Sequence, residues 1–155
     1  CGSCWAIAAC TALGARMSKE CGRGYPLDER AVEDIMVNAQ GSRGCQGGSL
    51  ASAYRYACNT GLLTQQGRMR IRHAVNIAPT DRCEIKHAIA SRGPVAAHMM
   101  EYPSLRKVTS DEVAWQPQPT ELPINGHAVV LFGWDDLAGG WLVLNSWGGE
   151  WGNKG

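Results

Sequence analysis

The chain opens on Cys1-Gly2-Ser3-Cys4-Trp5, and the second cysteine heads an apolar, proline-free run that extends to about Lys19. Alanine, the strongest helix former, recurs there as Ala6, Ala8, Ala9 and Ala12. The run predicts a single helix, apolar nearly all round and therefore buried. Ser3 serves in this reading as the N-cap, which puts Cys4 in the first turn, where unpaired backbone N–H groups and the helix dipole favour an anion. A thiol held there ionises more readily, and the thiolate is the nucleophilic form.

A nucleophile of this kind needs a partner that takes and returns a proton. Of the four histidines, His127 has the most suggestive setting, in Asn125-Gly126-His127-Ala128-Val129-Val130-Leu131-Phe132-Gly133-Trp134. The Asn-Gly pair predicts a turn and the β-branched and aromatic residues a buried strand, with His127 at its mouth. A second strand, Trp141 to Leu144, follows the Gly139-Gly140 turn and leads into Asn145-Ser146-Trp147. Asn145 could orient an imidazole, and Trp147 could cover that hydrogen bond. His73 and His98 are expected at the surface or in structural roles. His87 falls in a helix from Cys83 to Arg92, opened by the capping box Asp81-x-x-Glu84.

Other elements must bring these distant residues together. Asp28 caps a helix with Ala31, Val32, Ile35 and Met36 on one face, after a loop from Cys21 to Pro26. A glycine-rich turn from Gly41 to Gly48 precedes a short helix, Leu50 to Asn59, with Gly61 as its C-cap. Residues 62 to 80 are weakly patterned. Gly93-Pro94 ends the Asp81 helix and leads into a strand from Val95 to Met99; Tyr102 to Pro123 is expected as an extended loop with strand fragments around an isolated Trp115. Trp141, Trp147 and Trp151 can each be read as core aromatics, and for Trp151 that reading is preferred. The first half is therefore helical and the second mostly β.

Four segments in order, CGSCW at 1 to 5, GCQGG at 44 to 48, NGHAVVLFGW at 125 to 134 and NSWGGEWG at 145 to 152, resemble the papain family of cysteine peptidases. That family's signature places His and Asn ~130–150 residues beyond the cysteine. Here His127 stands 123 beyond Cys4 (127 minus 4) and Asn145 stands 141 beyond it (145 minus 4), so the middle of the chain is trimmed.

The resemblance implies an α+β, two-lobed fold: a helical left lobe over 1–79 carrying the nucleophile, and a partial antiparallel β-barrel-like right lobe over 80–155 carrying His and Asn. It implies Cys4 as nucleophile, His127 as general base and acid, and Asn145 as the orienting amide. Gly47 and Gly48 would offer backbone to an extended substrate, since no side chain blocks the approach. Ser49, Leu50 and Ala128 match positions lining the pocket for the second residue before the scissile bond. The implied activity is peptide-bond hydrolysis through a thioester. Endopeptidase action is expected, because 59 to 80 lacks the histidine pair of members with an occluded cleft. No metal or organic cofactor is implied. The partners are a peptide or protein substrate and, in the same cleft, a propeptide or protein inhibitor. The family's oxyanion glutamine falls before Cys1 and further barrel strands fall after Gly155, so the chain is expected to be an internal fragment with little activity alone.

Seven cysteines suggest an oxidising compartment, lysosomal, vacuolar or secreted. The family pairs Cys1 with Cys45. Cys10, Cys21, Cys58 and Cys83 allow three pairings that the sequence does not distinguish, with Cys10 a candidate free core thiol; the family's usual cysteine at the end of the second helix is replaced by the stretch Ile35 to Asn38. With 45% apolar residues the 155-residue chain can bury a real core. Fifteen basic and 14 acidic residues, interspersed to a net charge of +1, speak against a nucleic-acid surface or an acidic-substrate funnel. No apolar run is long enough to cross a bilayer. Cys1-x-x-Cys4 as a zinc or redox pair lacks a second ligand pair and a βαβ setting. The remaining alternative is a catalytically silent binding or storage domain of the same fold, which the joint presence of Cys4, His127 and Asn145 disfavours.

Overall fold

The first eighteen residues after Ser3 form α1 (Cys4–Cys21), whose Trp5, Ala6, Ala8, Ala9, Ala12, Leu13 and Met17 are buried. The computed structural model describes residues 1–22, 24, 28–110 and 114–155. The expected loop from Cys21 to Pro26 and the middle of the segment from Tyr102 to Pro123 lie partly outside these. Alanines on several sides of α1 let neighbouring elements approach it closely. The Ser3 cap is corrected: its hydroxyl makes no capping bond and its backbone is already helical (φ −93°, ψ −1°). The cause lies one residue earlier, where the Gly2 N–H donates to the Cys45 carbonyl at 2.7 Å and leads the chain into the helix without an extended N-cap. The Ser3 carbonyl still accepts from Ala6 and Ile7.

α2 (Glu29–Asn38) starts at Asp28, whose carboxylate accepts from the Arg30 N–H. Its predicted face packs on α1, with Ala31 and Ile35 fully buried and Val32 and Met36 against the same core. α3 (Leu50–Asn59) is capped by Ser49, whose Oγ accepts from the Ser52 N–H. The turn out of α3 falls on Thr60, and Gly61, at φ +91°, donates to the Tyr56 carbonyl. The weakly patterned stretch forms a small hairpin, β1 (Leu62–Thr64) and β2 (Gly67–Met69). Thr64 closes it through its hydroxyl, and Arg68 anchors it to Asp34 of α2 at 2.7 Å.

α4 (Arg82–Arg92) begins at Asp81, which accepts from the Glu84 N–H as the capping box predicts. β3 (Val95–Glu101), β4 (Asn125–Asp135) and β5 (Gly140–Leu144) form an antiparallel sheet in that order. The sheet is layered between helices: Ala96, Ala128 and Val130 join the α1 core, whereas Val129 and Leu131 pack on Ile85 and Ile89 of α4. Burial on both faces explains the unbroken apolar run in β4. Arg16 and Lys19 of α1 donate to the Pro94, Ala90 and Ser91 carbonyls, fastening that helix to the end of α4 and the start of β3. Asn125-Gly126 is not a turn; both residues are paired in β4, against Glu101 and Met100, because the preceding segment returns through a 3₁₀ helix (Pro103–Lys107) and a long crossing. Among the described residues the sheet stays open at three strands, so the barrel-like expectation reduces to an α+β fold with a small antiparallel sheet. Trp115 is not isolated, since its Nε1–H donates to Ser104 Oγ.

Candidate active site

Cys4 lies in the first turn of α1 and His127 is the third residue of β4, and the packing of α1 along β4 brings the two together. The thiol and the imidazole face each other and interact directly. The His127 Nε2 lies 2.8 Å from Asn145 Oδ1, just beyond β5, which leaves Nδ1 for the thiol. The amide orientation is fixed because the same Oδ1 accepts from the Ser146 N–H at 2.8 Å. His127 is only 4% exposed.

The hydrogen bond to His127 pulls the Cys4 thiol below its ordinary range; partial burial opposes this, and the Ala128 and Trp5 N–H groups add to the lowering. Burial pulls His127 down, but hydrogen bonds to Cys4 and Asn145, with the charges of Cys4 and Glu101, outweigh it and leave the imidazole raised. The shifts point the same way: each group favours the charged form of the other. Cys10, six residues along the same helix, is the contrast. Its thiol is pushed up to about 12 by burial, with Asp34 and Asp28 adding to it.

Trp147 stacks on the His127 ring at 4.9 Å between centroids, and Trp151 meets Trp147 edge-on at 5.4 Å. Trp151 is held by its Nε1–H to the Leu105 carbonyl, so it supports Trp147 from the side. The Arg106 guanidinium lies 5.5 Å from the Trp147 centroid and pairs with buried Glu101 at 2.6 Å. Sequence reasoning missed both Glu101 and Arg106, because no local spacing marks a pair that a 3₁₀ helix folds back onto a strand.

Two adjoining hollows, of about 280 and 600 Å³, meet at Cys4, Trp5, Gly48 and His127. Gly48, Ser49, Leu50 and Ala128 line the smaller; Gly47 and Trp147 line the larger. Gly48 lies flat on the Trp5 indole, where a Cβ would fall 2.3 Å from a ring carbon. The Ser49 hydroxyl is committed to capping α3 and to Ser52. Cys1 and Cys45 form a disulfide, Cα atoms 4.5 Å apart, which ties the start of α1 to the 44–48 turn. Cys10, Cys21, Cys58 and Cys83 are all free, so none of their three pairings forms. His98, expected at the surface or in a structural role, lines both hollows.

Comparison with known proteins gives the same grouping. The model of the papain family cysteine proteases matches residues 1–69 and 58–155. Cathepsin L2 of Homo sapiens is 29% identical over 178 residues, covering 100% of this chain and 53% of that protein. Testin-2 of Mus musculus is 31% identical with the same coverage, and the thiol protease aleurain-like protein of Arabidopsis thaliana is 30% identical over 180 residues, covering 100% of this chain and 49% of its own length. The chain thus spans about half the length of the curated relatives it matches. In fold it is similar to a Carica candamarcensis cysteine protease solved in complex with E-64, with a TM-score of 0.78, 21% identity, and coverage of 100% of this chain and 77% of that one. By its match along the whole length, the chain belongs to the papain family of cysteine proteases.

Proposed function

We propose that the protein carrying this chain is a cysteine endopeptidase that cleaves peptide bonds through a thioester on Cys4. The observation that carries this reading is the grouping of Cys4, His127 and Asn145, with His127 hydrogen-bonded to Asn145, the thiol lowered and the imidazole raised. The Cys4 thiolate attacks the scissile carbonyl carbon, and backbone N–H at the α1 terminus stabilises the oxygen that gains charge. The His127 imidazolium then protonates the leaving amine as the C–N bond breaks. Water attacks the thioester with neutral His127 taking its proton, and the acid product leaves as the Cys4 thiolate and imidazolium re-form. Asn145 keeps the ring in register through both steps, and Trp147 keeps water off that hydrogen bond.

The substrate lies extended in the cleft between a helical lobe, 1–79, and a β lobe, 80–155, with the Gly47 and Gly48 backbone pairing to its main chain. Ser49, Leu50 and Ala128 form the wall that meets the second residue before the scissile bond. A propeptide or protein inhibitor occupies the same groove in the uncleaved or regulated protein; the E-64 complex of the structural relative supports occupancy of such a cleft. The Cys1–Cys45 bridge supports an oxidising location, lysosomal, vacuolar or secreted. No described helix is long and apolar enough to cross a membrane.

The test is peptide hydrolysis by the full-length protein across pH. A bell-shaped kcat/KM, abolished by Cys4→Ala, is expected. Peptide binding without cleavage at any pH would instead assign the chain to silent binding domains.

A further inference from the structure

His98 stands on β3 directly opposite Ala128 and two residues beyond Ala96, on the sheet face turned toward α1. It is exposed and lines the small hollow beside Cys4 together with Trp5, Leu50, Ala51 and Gly126. Its ring lies so close over Gly126 that a Cβ there would fall 2.6 Å from His98 Nε2. Position 126 must therefore lack a side chain for the imidazole to occupy this wall. Neither ring nitrogen has a hydrogen-bond partner among the described residues. The other walls are mostly carbon, and the Ser49 hydroxyl is already used by Ser52. His98 is thus the free polar group of an otherwise apolar subsite.

The charge around it is also one-sided. Arg43 and Arg106 line the adjoining hollow that His98 shares. Glu101 there is neutralised by Arg106, whereas Arg43 has no acidic partner among the described residues. An imidazole can donate a hydrogen bond from a ring nitrogen.

We propose that His98 makes this hollow a carboxylate-accepting subsite, so that the enzyme selects glutamate as the second residue before the scissile bond. The glutamate methylenes lie against Trp5 and Leu50, and the carboxylate accepts an N–H from His98. The inference rests on the peptidase reading above for the placement of the scissile bond.

The test uses matched peptides differing only in that residue, Glu, Gln or Leu, with the full-length protein in mild acid. Glu should exceed Leu in kcat/KM about tenfold, the size of one partly exposed charge-assisted hydrogen bond, and should exceed Gln severalfold. His98→Leu should reverse the order and favour Leu; His98→Gln, whose amide offers both a donor and an acceptor, should bring Glu and Gln to parity. The same peptides titrated against the Cys4→Ala protein by fluorescence anisotropy should bind in the order Glu, Gln, Leu. Cleavage with a Leu preference, or a Glu preference unchanged in His98→Leu, overturns the subsite and leaves the peptidase reading standing. Selective Glu binding without any cleavage by the unaltered protein supports the subsite and overturns the peptidase reading.

Discussion

Replacing His127 by alanine separates two sources of reactivity at Cys4, the imidazole and the helix terminus. A free thiol of pKa ~8.5 is only about 0.1% thiolate at pH 5.5, so a cysteine fully ionised in an ion pair holds roughly 10³ times more nucleophile. A weaker base is also a weaker nucleophile, with a Brønsted slope of about 0.4–0.5, so the net advantage in alkylation should be about 10–100-fold. In the structure the His127 hydrogen bond is the leading influence on the thiol and burial the next, acting the other way. Without the imidazole, burial is opposed only by the Ala128 and Trp5 N–H groups, and the advantage should fall at least about tenfold. The assay is iodoacetamide labelling from pH 4 to 9, read peptide by peptide by mass spectrometry, with exposed Cys21 and Cys83 as internal references and buried Cys10 as the slow control. The signs define the window: the thiolate persists above the lowered Cys4 value and the imidazolium below the raised His127 value. Cys4 labelling should therefore stay nearly flat through mild acid, where an ordinary thiol loses reactivity about tenfold per pH unit. Equal Cys4 rates in the intact and His127→Ala proteins at pH 5.5 would refute the ion pair.

Three further outcomes test the scaffold. Ile35→Ala, at a fully buried position in α2, should cost about 2–5 kcal/mol in urea unfolding, from lost burial and an unfilled cavity. Gly48→Ala should destabilise by about 1–3 kcal/mol and weaken peptide binding, because its Cβ meets the Trp5 ring; a neutral effect on both would mean the two do not press together. Asp34, whose carboxyl Arg68 holds below the usual range against burial, with Tyr56 and Asn38 helping, contributes stability that is present near neutrality and lost as pH falls through its lowered value. Asp34→Asn should thus lower the urea midpoint at pH 7, and the two midpoints should converge in strong acid.

What the sequence made legible were features carried by neighbouring residues. The α1 run, the Asp28 and Asp81 caps, the apolar β4 stretch and the four family segments each depend on local spacing, and these placed Cys4, His127 and Asn145 as candidates before any fold was in view. Features set by distant partners were not legible. Ser3 was assigned a cap that the Gly2 tether to Cys45 prevents, whereas Ser49, assigned only to a pocket wall, is the serine that caps a helix. Asn125-Gly126 carries the composition of a turn, but pairing with Glu101 and Met100 draws it into β4. The hairpin at 62–69 is only three residues a side and depends on Asp34 of α2 for its anchor, so its own pattern is weak. The place of His98 on the wall of the hollow beside Cys4 was not legible, because its face follows from its register against Ala128, thirty positions away in the chain. Arg106 reaches Glu101 and Trp147 only through the fold of the 3₁₀ helix.

The most direct test is to stop turnover of a chromogenic peptide ester by the full-length protein with acid in the first milliseconds and map the acylated residue by mass spectrometry. One acyl group is expected, as a thioester, on the peptide that contains Cys4, and none in Cys4→Ala. Acylation elsewhere, or continued peptide cleavage by Cys4→Ala, would contradict it.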